Sequence, residues 1–72
     1  MEREQHEGRN VARKRRSLGM TQRYLAKAAG LNEARVSAFE TGRAELEADE
    51  LHRIRKVIKQ RAQFVVDSVL VG

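Results

Sequence analysis

The chain has 72 residues, no cysteine and two histidines, and it carries 15 Lys and Arg against 10 Asp and Glu. A chain of this length forms one small domain with a small core. The composition excludes disulfides, thiolate chemistry and cysteine-ligated metals, and two imidazoles do not make a multi-histidine metal site. No apolar run reaches the roughly 18 residues of a membrane span, and the polar N-terminus has no signal-peptide pattern, so we expect a cytoplasmic protein.

The positive charge is concentrated in the first part of the chain. Residues 8–43 contain nine cations and two acids, a net charge of +7, whereas residues 44–72 contain five of each. Fixed positive charge favours a polyanionic partner, because it releases the counterions that condense on nucleic acid. A solvated surface with a favourable net charge is the alternative interpretation.

Glycines at intervals of about eleven residues divide this proline-free chain into helix-sized segments. The first segment runs from Glu2 or Arg9 to Leu18. It places apolar side chains at helical spacing among basic ones, and this pattern predicts a basic amphipathic helix. Gly19 is suited to end this helix as a left-handed cap.

Two short helices are predicted next. Thr21 is a suitable N-cap for a helix from Gln22 to Ala29, and Asn32 is a suitable N-cap for a helix from Glu33 to Thr41. The connection Ala29-Gly30-Leu31 is a three-residue turn with glycine, and such a turn makes two helices cross steeply.

A fourth helix is expected to begin near Leu46 to Ala48. Acids crowd its start, where the helix dipole favours negative charge. Apolar side chains at helical spacing predict the core face of the last two helices, at Val36, Phe39, Leu51, Ile54 and Ile58.

The final ten residues, 63–72, form an apolar and β-branched tail after a domain of residues 1–62. As a helix the tail would be apolar almost all round, and as a strand it would be apolar on both faces. We expect it to pack on another chain as a paired strand or a helix, most simply in a two-fold homodimer. Folding back on its own domain is the alternative. The residues expected at the dimer interface are Phe64, Val65, Val66, Val69, Leu70 and Val71.

Ten residues in and around the predicted helix pair form a motif with fixed spacing, Thr21-Gln22-x-x-Leu25-Ala26-x-x-x-Gly30-Leu31-x-x-x-x-Val36-Ser37-x-x-Glu40-x-Gly42. This pattern resembles the phage Cro and lambda-repressor-like (XRE-type) helix-turn-helix family over residues 11–58. The resemblance implies an all-α bundle of four to five helices, with the helix-turn-helix unit at residues 21–41. It implies double-stranded DNA as the partner. The apolar tail, as a C-terminal strand or short helix, departs from the family, because it replaces the usual short fifth helix.

The resemblance also implies roles for single residues. Gln22 and Arg43 are expected to contact phosphates, and Arg15 and Glu40 match a partly buried ion pair between the first and third helices. Arg23, and by their charge Arg9 and Lys14, are further phosphate candidates. The residues that resemble base-reading positions are Asn32, Glu33, Ala34, Arg35, Ser37 and Ala38.

Several of these positions depart from the family pattern. Glu33, Ala34 and Ala38 stand where the family often has Gln, Ser or Arg. Alanine can only touch a thymine methyl group, and glutamate either accepts a hydrogen bond from cytosine or only stabilises the helix dipole. Arg35 is therefore the best candidate for reading guanine, with a phosphate or solvent contact as the alternative. The loop after Gly42 is acidic and has no proline, so we expect its DNA contacts to end near Arg43.

We therefore expect a transcriptional regulator, a dimeric repressor that reads a palindromic operator through the helix 33–41. The alternative is an antitoxin-type interaction protein that binds a protein partner through its tail and autoregulates its own operon. No arrangement of nucleophile, base or metal ligands is found, so we expect no enzymatic activity, metal or cofactor. We expect no membrane partner, and a location at the nucleoid when DNA is bound.

Overall fold

The computed structural model describes the backbone of residues 2–71 and the side chains of residues 7–67. Over this range the chain is helical and has no strand. The four helices are α1 (Glu2–Ser17), α2 (Gln22–Ala29), α3 (Glu33–Glu40) and α4 (Ala48–Val71). The all-α fold expected from the sequence is confirmed.

The two short helices begin where their capping residues predicted. The Thr21 hydroxyl accepts a hydrogen bond from the Tyr24 amide at 2.9 Å, and the Asn32 side chain accepts one from the Arg35 amide at 2.8 Å. Gly30 ends α2 in the left-handed conformation at φ 73°, and the chain then turns directly into α3. Helix α3 ends one residue earlier than predicted, because Thr41 is its C-cap.

Of the two forms expected for the tail, the strand is wrong and the helix is present over residues 63–71, where it continues α4 and is not a separate element. Helix α4 continues from Ala48 to Val71 without a break. The sequence has neither glycine nor proline between these two residues, and valine lowers helix stability only slightly. A helix already stabilised by packing therefore extends through the apolar tail. The side chains of Val69, Leu70 and Val71 lie outside the described residues.

The core lies where all four helices meet. Its centre consists of three fully buried side chains, one each from α2, α3 and α4, namely Leu25, Val36 and Ile54. Met20, from the turn between α1 and α2, is also buried and was not predicted from the sequence. The partly buried side chains that pack around this core are Leu18, Leu31, Leu46, Leu51 and Val57.

Helices α1 and α3 approach each other closely at Gly8. A Cβ atom added to Gly8 would overlap the carbonyl oxygen of Phe39 and lie 3.2 Å from the Cα of Glu40. Both neighbours are backbone atoms, which cannot move aside as a flexible side chain can. The absence of a side chain at Gly8 therefore sets the distance between α1 and the C-terminal end of α3.

We predict that Gly8→Ala lowers the free energy of unfolding. Alanine usually stabilises a helix by about 1 kcal/mol relative to glycine, but overpacking costs about 1–3 kcal/mol or more. Arg9→Ala, at the exposed neighbouring position of the same helix, is the control in urea unfolding. A Gly8→Ala variant more stable than the native chain would contradict the close approach of α1 and α3.

Candidate nucleic-acid interface

The outward surface of α3 contains the six positions that the sequence predicted to read bases. Asn32, Glu33 and Ala34 are exposed, and the side chains of Arg35, Ser37 and Ala38 are half-buried. The opposite face of α3 is buried at Val36, Phe39 and Glu40. The first turn of α3 therefore projects from the body of the protein and is accessible to a partner.

A buried ion pair fixes α3 against α1. Arg15 donates to Glu40 through Nε at 2.8 Å and through NH2 at 3.0 Å, and its NH1 donates to the Met20 carbonyl at 2.9 Å. The two side chains are only 9% and 3% exposed, so this is the ion pair that the family resemblance implied. Removing one partner of such a pair leaves a buried charge and costs about 3–5 kcal/mol.

Gln22 extends this cluster to α2. Its Nε2 donates to Glu40 Oε1 at 2.9 Å, so the carboxylate is shared by side chains from both preceding helices. One amide N–H of Gln22 is thereby engaged within the protein. The other amide N–H and the free backbone amides at the start of α2 are the groups left for the expected phosphate contact.

The other phosphate candidates do not all lie on the same side of the molecule as α3. Arg9, Arg23 and Arg43 are exposed, and the Arg43 Nε lies 3.2 Å from the Thr41 hydroxyl just after α3. Lys14 borders an apolar groove of about 650 Å³ between α1 and α4. It therefore faces α4, and the structure does not bring it to the surface of α3.

Arg35 has a partner that the sequence did not reveal. Its Nε donates to Glu50 Oε2 at 2.9 Å and its NH2 donates to Glu50 Oε1 at 2.8 Å. Glu50 also accepts a hydrogen bond from the Glu47 amide at 2.8 Å and so caps the start of α4. The sequence indicated only that Glu50 favours the helix dipole. It did not show that α4 places Glu50 beside α3.

These hydrogen bonds shift the titration of both side chains. Donation from Arg35, and secondarily from the Glu47 amide, lowers the pKa of Glu50 to about 2 from its ordinary value of 4.5. The hydrogen bond to Glu50 and its negative charge raise the pKa of Arg35. The pair therefore stays ionised across the physiological pH range.

We predict that Glu50 contributes stability above about pH 4.5 and that this contribution is lost as the pH falls toward 2. The sign follows from the folded-state pKa, which lies below the ordinary value. Chemical unfolding of the native chain and of Glu50→Gln should therefore give a difference at pH 6 that shrinks below pH 4.5. Asp49→Asn removes an acid from the same turn and serves as control. A difference that stays constant from pH 6 to pH 2 would contradict the ion pair.

The described side chains contain no cluster of acids or imidazoles that could hold a metal ion. Over residues 2–71, none of the helices combines the length and the apolar character needed to cross a bilayer. The α2–α3 surface includes the exposed cations Arg23 and Lys27 and one exposed acid, Glu33. Such a surface is suited to an anionic partner with polar edges.

Comparison with known proteins gives one result. No curated protein and no solved structure matches the chain significantly. A family model described as helix-turn-helix matches residues 11–62, which contain the whole of α2 and α3. Because the match covers more than two thirds of the chain and includes the capped helix pair, the chain belongs to the XRE-type helix-turn-helix family of DNA-binding regulators.

Proposed function

We propose that the protein is a sequence-specific dimeric repressor that reads a roughly palindromic operator through α3. The observation that carries this proposal is the exposed first turn of α3, held rigidly from behind by the buried Arg15–Glu40 pair. A helix placed in this way can enter the major groove with its N-terminal residues against base edges. At its operator the protein would be nucleoid-associated within the cytoplasm.

Different side chains of α3 would contact different bases. Ala34 and Ala38 can contact thymine methyl groups, and Glu33 can accept a hydrogen bond from the amino group of cytosine. Arg35 is the cation of α3 and supplies donors for guanine. The Asn32 oxygen is occupied by its capping bond, so its amide N–H groups are the ones available to DNA.

Phosphate contacts would come from the ends of the two short helices. Gln22 begins α2, Arg23 is exposed beside it, and Arg43 is exposed after α3. These three residues lie on both sides of the recognition surface along the chain. They would fix its register on the duplex, while the α3 side chains would supply the sequence preference.

The end of α4 is the proposed dimer contact, formed by its apolar residues Phe64, Val65, Val66, Val69, Leu70 and Val71. Phe64 is 59% exposed and Val66 is 51% exposed, and because the two are two residues apart in a helix they point in different directions from its axis. A helix of 24 residues is about 36 Å long, close to the 41 Å extent of the molecule, so its last turns reach an end of the body. Two copies related by a two-fold axis would bury apolar side chains at this end of α4, and a palindromic operator would require their α3 helices to lie about 34–36 Å apart.

The direct test of the function is a binding selection from random duplexes. We expect one preferred sequence with two inverted half-sites about one helical turn apart. Bound protein at such an operator would exclude polymerase sterically. Selection of no preferred sequence would overturn the proposal.

We predict that Arg43→Ala weakens binding equally to the selected duplex and to random duplexes. A phosphate contact carries no sequence information, so its loss should reduce the slope of log affinity against log salt by about 0.9. Lys56→Ala, which removes one exposed cation from α4, is the matched control and should leave the slope unchanged.

A loss confined to the selected duplex would make Arg43 a base contact and would contradict its assignment to phosphate. A salt slope near zero for the native chain would contradict DNA binding through the cationic surface altogether.

We predict that Phe64→Glu converts a dimer into a monomer in sedimentation equilibrium, because it places a charge in the proposed apolar contact. The native side chain is largely exposed, so the folded monomer should be little affected. Gln63→Glu adds the same charge one residue away. Gln63 donates to Asp67 one turn on, along a polar edge of α4, so this control should remain dimeric.

A Phe64→Glu variant that remains dimeric would exclude the tail as the contact. A native chain that sediments as a monomer at all concentrations would exclude the homodimer. That result would favour the alternative function, an antitoxin-type protein whose exposed tail is covered by a different protein.

A further inference from the structure

We propose that Glu50 is a positioning residue for DNA recognition, which holds the Arg35 guanidinium so that its free edge faces a guanine. This inference rests on the proposed function and adds to it a residue of α4, a helix that does not itself enter the groove. It also chooses between guanine and phosphate as the target of Arg35.

The geometry of the pair leaves a complete recognition edge unused. A guanidinium has five N–H groups in one plane. Arg35 uses its Nε and NH2 groups for the Glu50 carboxylate, at 2.9 and 2.8 Å. The remaining N–H groups lie on NH1 and on the outer side of NH2, where two parallel donors match the O6 and N7 acceptors of guanine.

The partner of Arg35 is itself fixed. The Glu50 side chain is only 15% exposed, and one of its oxygens also accepts the Glu47 amide at the start of α4. The carboxylate is thus held by the first turn of α4 and not by Arg35 alone. Because one edge of the Arg35 guanidinium is already bound to this fixed carboxylate, the plane of the guanidinium is set before DNA binds. Binding to DNA therefore costs little further rotamer entropy.

The charge of the pair favours a base over a phosphate. Arg35 and Glu50 together are close to neutral, and the carboxylate would repel a phosphate brought against the same guanidinium. Guanine presents two neutral acceptors, so this repulsion is small there. The Arg35 side chain is 37% exposed in the first turn of α3, so part of it remains accessible to a partner.

The test uses Glu50→Gln and the duplex obtained by selection. Affinities are measured for that duplex, for variants in which each G·C pair of a half-site is replaced in turn, and for random duplexes. We expect Glu50→Gln to reduce discrimination at one G·C pair by about fivefold or more, the lower range for a bidentate base contact. Affinity for random duplexes should be unchanged or higher, because an acid near the DNA has been removed.

Three further variants separate positioning from general effects. Arg35→Ala should lose discrimination at the same G·C pair, and adding Glu50→Gln to it should change discrimination no further. Asp49→Asn removes an acid from the same turn of α4 and should leave discrimination intact. Arg35→Lys keeps the charge but lacks the planar fork, so it should also lose discrimination, even if Glu50→Gln fails to fold.

The outcomes are distinct. Tighter binding of Glu50→Gln to the selected duplex with unchanged discrimination would mean that Glu50 masks Arg35, and would overturn the proposal. Equal losses on all duplexes for Arg35→Ala would make Arg35 a phosphate contact, and would overturn it as well. A selection that yields no preferred sequence would overturn the proposed function, whereas a preferred sequence that Glu50→Gln reads normally would overturn this inference alone.

Discussion

The carboxylate of Glu40 is the group on which the arrangement of the first three helices depends. It is almost completely buried and receives hydrogen bonds from Arg15 of α1 and Gln22 of α2. A buried charge is tolerated only where its partners are correctly placed, so other orientations of α3 would leave it unsatisfied. The hydrogen bonds that satisfy the buried Glu40 carboxylate therefore also set the orientation of α3 relative to α1 and α2.

Helix α3 has eight residues and is too short to be stable by itself in water. Its stability comes from the Asn32 cap, from the packing of Val36 and Phe39, and from the ion pair at its C-terminal end. Apart from the Asn32 cap, these contributions do not depend on the outward side chains. The recognition surface is therefore free to carry residues such as alanine and glutamate, chosen for what they contact.

Local signals in the sequence predicted the start of both short helices, because a cap depends on residues only three positions apart. The Arg15–Glu40 pair was available only through the family resemblance, since 25 residues separate its members. The Arg35–Glu50 pair was missed because it depends on how α3 and α4 are placed in space. The strand that the sequence left open for the tail was wrong, because β-branched residues do not stop a helix that is already formed.

The central claim is that the first turn of α3 meets the bases, and amide chemical shifts measured during titration with the selected duplex test it most directly. The account predicts that the largest changes fall on residues 32–38 and near Arg43, with the α1–α4 groove little affected. Changes confined to that groove or to the end of α4, with α3 unmoved, would contradict it.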